Sequence, residues 1–125
     1  MKTQSIDLTH AFSDNMPVYP GDPRAELHQV ADFHSDGYND FKIETGMHVG
    51  THIDAPLHMT ADGCYISEIN VNDLSANGYF IDARNHDPFP PQLIDLNVIQ
   101  SGVHAFPLKL NSDASPARVI AEVQA

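Results

Sequence analysis

Apolar and polar positions alternate in short bursts along this chain, and clusters of turn residues separate the bursts. A period near two with frequent breaks predicts strands rather than helices. Ser5–Phe12 (SIDLTHAF) reads as a first strand. It ends in Ser13–Pro23, where three prolines, one glycine and three Asp or Asn residues predict an ordered, kinked loop. Ala25–Phe33 alternates loosely and reads as a strand, His34–Asp40 as a turn, and Phe41–Val49 as the next strand. Gly78–Arg84 has good strand formers at its centre. A second breaker cluster covers Asn85–Gln92. Gln92–Gly102 then predicts a short helix of about two to three turns, closed by Gly102. Val103–Leu110 and Ala117–Val123 are the expected final strands. The sum is a β-rich α/β domain with few short helices, whose topology periodicity leaves open.

Met47–Met59 (MHVGTHIDAPLHM) sorts by parity. His48, Gly50, His52, Asp54, Pro56 and His58 share one parity, while Met47, Val49, Thr51, Ile53, Ala55, Leu57 and Met59 share the other. Every ionisable side chain is in the first set, as in a strand with one face in the core and one lining a polar site. A helical reading would also bring His48 and His52 together, four residues apart. Gly50, Pro56 and the β-branched Val49, Thr51 and Ile53 argue against it. Four residues of strand span roughly 13 Å, too far for two imidazoles to share an ion. If His48 and His52 do so, the backbone must bend between them. Gly50 is where a bend is cheapest, and the Thr51 hydroxyl is expected to help fix it.

The chain has 125 residues, no internal repeat and the length of one domain, 1–125. Six Lys and Arg against 17 Asp and Glu give a net charge of −11. That balance excludes phosphate-tracking and anionic-membrane surfaces, which need clustered basic groups, and a divalent cation would relieve part of it. The single cysteine, Cys64, forms no internal disulfide and belongs to no zinc-binding thiolate cluster. The first residues lack the apolar run of a signal peptide, and no stretch is long enough to span a bilayer, so a cytoplasmic protein is expected.

Two imidazoles and a carboxylate form a mixed nitrogen and oxygen set that suits Zn, Mn or Fe(II) and leaves coordination positions open. His48, His52 and Asp54 are the expected metal ligands. His58 is the expected acid or base, since imidazole exchanges protons near neutral pH. An Fe(II) oxygenase triad is the weaker reading, because these histidines lie too close in sequence for its usual jelly-roll arrangement.

The segment HVGTHIDAPLH, His48–His58, resembles the signature His-x-Gly-Thr-His-x-Asp-x-Pro-x-His of the cyclase family of metal-dependent hydrolases, which includes bacterial kynurenine formamidase and isatin hydrolase. Asp7–Pro23 is similar to the family's opening, Asp62–Leu74 to the stretch after the signature, Gly78–Arg84 to the next strand and Phe106–Ala121 to the C-terminal strands. The resemblance implies a swivelling β/β/α fold, here abbreviated, usually oligomeric. It also implies hydrolysis of a small amide, formamide or cyclic amide by metal-activated water. Position by position, His48, His52 and Asp54 match the family's metal ligands and His58 its catalytic histidine. Zn or Mn is the implied metal, a small molecule the implied substrate, and a homodimer or larger homo-oligomer the implied assembly.

Family members are normally longer. A central region supplies another histidine and then a glutamate in a Glu-Asn-Leu-like segment. Here Asn85–Gln92 leaps across that region, and Pro91–Leu96 (PQLIDL) contains no glutamate. A mononuclear site is therefore expected, completed by water or a neighbouring subunit. The alternative function is a degenerate member that binds metal or a small ligand and oligomerises without turnover. Among the other residues, His10, His28 and His104 read as structural or surface groups and His34 as solvated. His86, in a Pro-rich loop, is a candidate replacement ligand. Tyr19 and Phe41 read as core, with contact to an aromatic substrate as the other option. Cys64 lacks a base partner, and Arg118 should pair with an acid.

Overall fold

A computed structural model describes residues 3–78 and 101–124. The strands are β1 (Thr3–Asp7), β2 (Glu26–Ala31), β3 (Asp40–Glu44), β4 (His52–Asp54), β5 (Ser75–Gly78), β6 (Ser101–Pro107) and β7 (Ala114–Gln124). One helical turn, α1 (Phe33–Asp36), and three 3-10 turns at Pro56–His58, Ile66–Glu68 and Val71–Leu74 complete the described structure. The strand-rich α/β class with few short helices is the one the alternation predicts.

β7 organises the main sheet, whose order is β1–β7–β6–β5 with every ladder antiparallel. The second half of β7 pairs with β1, from Asp7↔Ile120 to Thr3↔Gln124, and its first half pairs with β4, from Asp54↔Ala114 to His52↔Pro116. The pattern of β7 explains its central place. Ala117 and Ala121 are buried and Val119 and Val123 half-buried on one face, while Arg118 and Glu122 are exposed on the other. β1 and β4 thus follow one another along the same edge of β7. The N–H of Leu8 donates to the Val119 carbonyl and the N–H of Ala117 to the Thr51 carbonyl, at 2.9 and 3.0 Å. As expected, Arg118 pairs with an acid, the Asp7 carboxylate across the β1–β7 ladder. That carboxyl lies below the ordinary Asp value, first through the Thr9 N–H and hydroxyl and then through Arg118.

β2 and β3 form a separate hairpin, with Leu27↔Ile43 and Gln29↔Phe41 facing each other. α1 closes its tip: Asp32 caps the His34 N–H at 2.9 Å, and Gly37, at φ 80°, ends the turn. The side chains fully enclosed in the described residues are small. Ala25, Ala55, Ala114, Ser115 and Ala121 are buried together with Val49 and Ile66.

Several sequence expectations need correction. β1 stops at Asp7 rather than Phe12, because Thr9 turns back to bond the Asp7 carboxylate through its N–H. β3 stops at Glu44 rather than Val49, since residues 45–51 leave the ladder to make the bend. Gly102 does not close a helix; it lies within β6, paired with Glu122. Ser101 is likewise in β6, while residues 92–100 of the expected helix, residues 79–84 of the expected strand and His86 fall outside the described residues. Tyr19 and Phe41 are not core residues, being 75% and 57% exposed.

Candidate metal centre

The centre is assembled from a bend, a three-residue strand, a 3-10 turn and the residue before β7. The bend comes first. Gly50 has φ +66°, in the left-handed region that side chains disfavour, and a Cβ there would also meet Met16 Cε at 2.8 Å. Val49 is 3% exposed and anchors the inner side of the bend. The expected curl at Gly50 is therefore present. Thr51 contributes through its hydroxyl, as expected: it accepts the His10 N–H at 2.9 Å and ties the bend to the segment after β1.

β4 then presents His52 and Asp54 on one face. Ladder bonds from Ala117 N–H to the Thr51 carbonyl and from Ala55 N–H to the Asp113 carbonyl bracket Pro116. Pro116, with no N–H, thus sits at a position that owes β4 no bond. Opposite His52 and Asp54 stand Pro116 and Ala114. The chain then turns at Pro56, whose ring presets the first 3-10 position. His58 closes that turn by donating its N–H to the Ala55 carbonyl at 3.0 Å. Strict alternation thus holds only for His52 and Asp54; His48 and His58 arrive from the bend and the turn.

All four expected site residues come together. His48 Nδ1 is 3.0 Å and His52 Nε2 3.3 Å from the same oxygen, Asp54 Oδ1. The rings of His48 and His52 meet edge to face at 5.3 Å, and those of His48 and His58 lie tilted at 4.0 Å. Ligand atoms of His48, Asp54 and His58 are all within 4.8 Å of one another. His52 stands outside that tightest group but shares its carboxylate.

The hydrogen bonding of His52 provides a fit test for a cation. Its Nδ1 is 2.8 Å from the Gly50 carbonyl, an acceptor, so that nitrogen carries the proton. In the neutral ring Nε2 then presents a lone pair to a carboxylate oxygen. That contact requires a positive charge, either a second proton on the ring or a cation between nitrogen and oxygen. A histidine held by a backbone carbonyl on one nitrogen and free on the other is the usual arrangement of a metal ligand. The side chains are one-quarter to one-half exposed, so the centre is open to a small molecule.

A fifth residue belongs to the centre, and sequence reasoning did not place it there. Asp113 Oδ2 is 2.9 Å from His48 Nε2 and 3.0 Å from His58 Nδ1. Its carboxyl lies below the ordinary Asp value, first through His48 and then through His58. The His48 ring is raised above the ordinary His value, chiefly by its bond to Asp113 and by the charges of Asp113 and Asp54, against the opposing effect of burial. Asp113 is 65 residues from His48 in sequence, and only the β4–β7 ladder brings it near.

The other histidines among the described residues stay away from this cluster. His28 pairs with Glu26 at 2.7 Å, His34 is exposed, and His104 bonds the Ser75 hydroxyl at 2.6 Å. Cys64 is half-buried in the turn after Gly63. A cavity of about 310 Å³ beside the bend is lined by His10, Phe12, Met16, Gly50, Thr51 and Arg118 among others, but by none of the five cluster side chains.

Comparison with known proteins adds a lineage to this geometry. The family described as "Putative cyclase" matches residues 6–112. A kynurenine formamidase of Bacillus cereus is 32% identical over 87 residues, 68% of this chain and 42% of that protein. Cyclase-like protein 1 of Oryza sativa subsp. japonica is 26% identical over 116 residues, 86% of this chain and 42% of that protein. A solved structure described as a potential metal-dependent hydrolase with cyclase activity superposes with a TM-score of 0.70. It covers 99% of this chain and 100% of its own at 19% identity, a likeness of fold. The chain thus spans about two fifths of the length of these curated relatives. With the signature set on the Gly50 bend and the family match running through most of its residues, the chain belongs to the cyclase family.

Proposed function

We propose that this chain is a metal-dependent hydrolase acting on a small amide, formamide or cyclic amide, with His48, His52 and Asp54 as metal ligands and His58 as acid and base. The observation that carries the reading is the shared Asp54 oxygen, which draws two imidazole nitrogens to 3.0 and 3.3 Å. Contacts of that length match the edges of a coordination shell whose bonds are about 2.0–2.2 Å. The nitrogen and oxygen donor set suits Zn or Mn. A divalent cation held there supplies Lewis acidity toward a carbonyl and makes a water molecule acidic near neutral pH.

The protein's own groups do the rest. Asp54 and His52 orient the donor atoms, and the Gly50 carbonyl keeps the His52 proton on Nδ1. His58 has Nδ1 engaged by Asp113, so Nε2 is the atom that exchanges a proton with water or the leaving nitrogen.

A second reading, a binder without turnover, rests on the central segment, where Pro91–Leu96 contains no glutamate. One experiment separates the two. Elemental analysis of the purified protein should show about one Zn or Mn per chain, and a panel of formamides, amides and lactams should show turnover. His52→Ala should lose both. Metal bound without hydrolysis of any panel member would leave the binder; unchanged metal content and activity in His52→Ala would reject both.

Self-association belongs to the same proposal. A two-stranded hairpin is marginal on its own, and Phe41 and Ile43 on β2–β3 are more than half exposed. Sedimentation equilibrium at low micromolar concentration should report a dimer or larger; a monomer there would remove this part. No helix among the described residues is long and apolar enough to cross a membrane.

A further inference from the structure

We infer that Asp113 is the positioning residue of the centre, with one carboxylate oxygen holding the Nε2 N–H of His48 and setting which nitrogen of His58 carries the proton. The inference rests on the metal-centre reading above, but its main readout does not require metal.

An ionised carboxylate only accepts hydrogen bonds, so each ring nitrogen facing it must be N–H. Asp113 Oδ2 faces His48 Nε2 at 2.9 Å and His58 Nδ1 at 3.0 Å. For His48, Asp113 takes the Nε2 N–H, so Nδ1, which faces the Asp54 carboxylate at 3.0 Å, is the nitrogen that can exchange its proton for a cation. That nitrogen is the one beside Asp54, on the side of the ring where His52 also arrives. Asp113 and Asp54 therefore stand on opposite nitrogens of one imidazole. Asp113 supports the ligand from outside, whereas Asp54 is positioned to share the ion.

For His58 the consequence is larger. Neutral histidine in water favours the form with the proton on Nε2. Asp113 imposes the other form, leaving the lone pair on Nε2. A single carboxylate thus couples the acid–base ring to the ligand ring, and the 4.0 Å spacing of their centroids follows from the shared partner.

The backbone places this side chain without help from it. Asp113 accepts the Ala55 N–H through its carbonyl at 2.7 Å, and the neighbouring Ser112 carbonyl accepts the Ile66 N–H at 2.9 Å. Both bonds survive a change of the Asp113 side chain, so its replacement tests positioning rather than folding. A carboxylate of this kind, bonded to the outer nitrogen of a ligating histidine, typically contributes about 10–100-fold to metal affinity.

The test uses the metal-free full chain labelled with nitrogen-15. Long-range proton–nitrogen spectra are recorded well above the ordinary histidine value, at about pH 8.5. In the wild type His58 should show the Nδ1–H form. In Asp113→Ala it should revert to Nε2–H, and Zn affinity, read by competition with a coloured chelator, should fall about 10–100-fold. Asp113→Asn, of the same shape and still able to accept one N–H through its amide oxygen, should recover part of both. An unchanged His58 proton position in Asp113→Ala or, should that variant not fold, in wild type with Nε2–H throughout, would overturn the inference. So would Zn affinity within about twofold of wild type in a folded Asp113→Ala. A wild type that binds no Zn would instead defeat the hydrolase reading, and the proton positions would still decide the role of Asp113.

Discussion

Replacing Gly63 by alanine is expected to destabilise the chain by about 3 kcal/mol, far more than alanine at any other described turn glycine, and to displace His58. The reason is space, not backbone freedom. A Cβ on Gly63 would lie 2.2 Å from the Leu57 nitrogen, 2.3 Å from the Pro56 carbonyl carbon and 2.5 Å from Leu57 Cα. These are backbone atoms, so no rotamer change relieves the clash. They also belong to the 3-10 turn that holds His58, which is closed onto the returning chain by Leu57 N–H to the Cys64 carbonyl at 3.3 Å. Something in Pro56–Cys64 must open. Gly37 is the control: it has φ +80° but empty space around its would-be Cβ, so Gly37→Ala should lose only about 1 kcal/mol. Urea denaturation of both variants checks the comparison. Equal losses would mean that the close approach at Gly63 relaxes easily and that the turn does not depend on it.

Gly63 also shows where sequence reading stops. Its neighbours in sequence mark a turn, but only the return of Pro56 and Leu57 against it explains why nothing larger fits. The bend at Gly50 was legible because its cause is local: two imidazoles four residues apart in extended chain cannot meet unless the backbone turns, and one glycine lies between them. The pairing of Arg118 with an acid was legible from composition, though which acid was not. Asp113 was invisible for the opposite reason. Nothing in NSDASP announces a functional carboxylate, and its approach to His48 depends on β4 crossing to β7 over a long stretch of chain. β5 was missed on the same ground. Ser75–Gly78 has weak strand formers and is extended because β6 pairs with it, from Ser75↔His104 to Gly78↔Ser101.

The exposed aromatics carry the complementary lesson. Phe41 alternates correctly for β3, and alternation says which face a residue takes, not what covers that face. Opposite it stands Gln29 in a hairpin with no third described strand, so the correct register still leaves the ring in solvent. In the metal segment the parity argument succeeded where the chain is a strand, at His52 and Asp54. His48 and His58 join the same cluster by another route, since a bend and a 3-10 turn replaced the strand geometry that parity assumes.

Asp54→Ala should abolish the metal centre while leaving the metal-free fold nearly intact. Asp54 Oδ1 is the atom both His48 Nδ1 and His52 Nε2 approach, so its loss removes a ligand and the group that draws the other two together. Affinity should drop by more than about 100-fold, beyond the range typical of a partner that only supports a ligand. The Asp54 side chain is 49% exposed, so its two contacts contribute at most about 1 kcal/mol to the folded chain without metal. The two effects separate in a melting experiment. Ligand binding stabilises by RT ln(1 + [L]/Kd), so Zn at about 100 times the wild-type Kd adds about 2.7 kcal/mol to the wild type. At the same Zn concentration an Asp54→Ala chain that binds about 100-fold more weakly gains only about 0.4 kcal/mol by that relation. Thermal unfolding of both chains, with and without Zn, checks this directly. Equal Zn-induced stabilisation of wild type and variant would show that the cation is bound elsewhere, and the convergence of His48, His52 and Asp54 would then be an ordinary surface cluster of histidines around an acid.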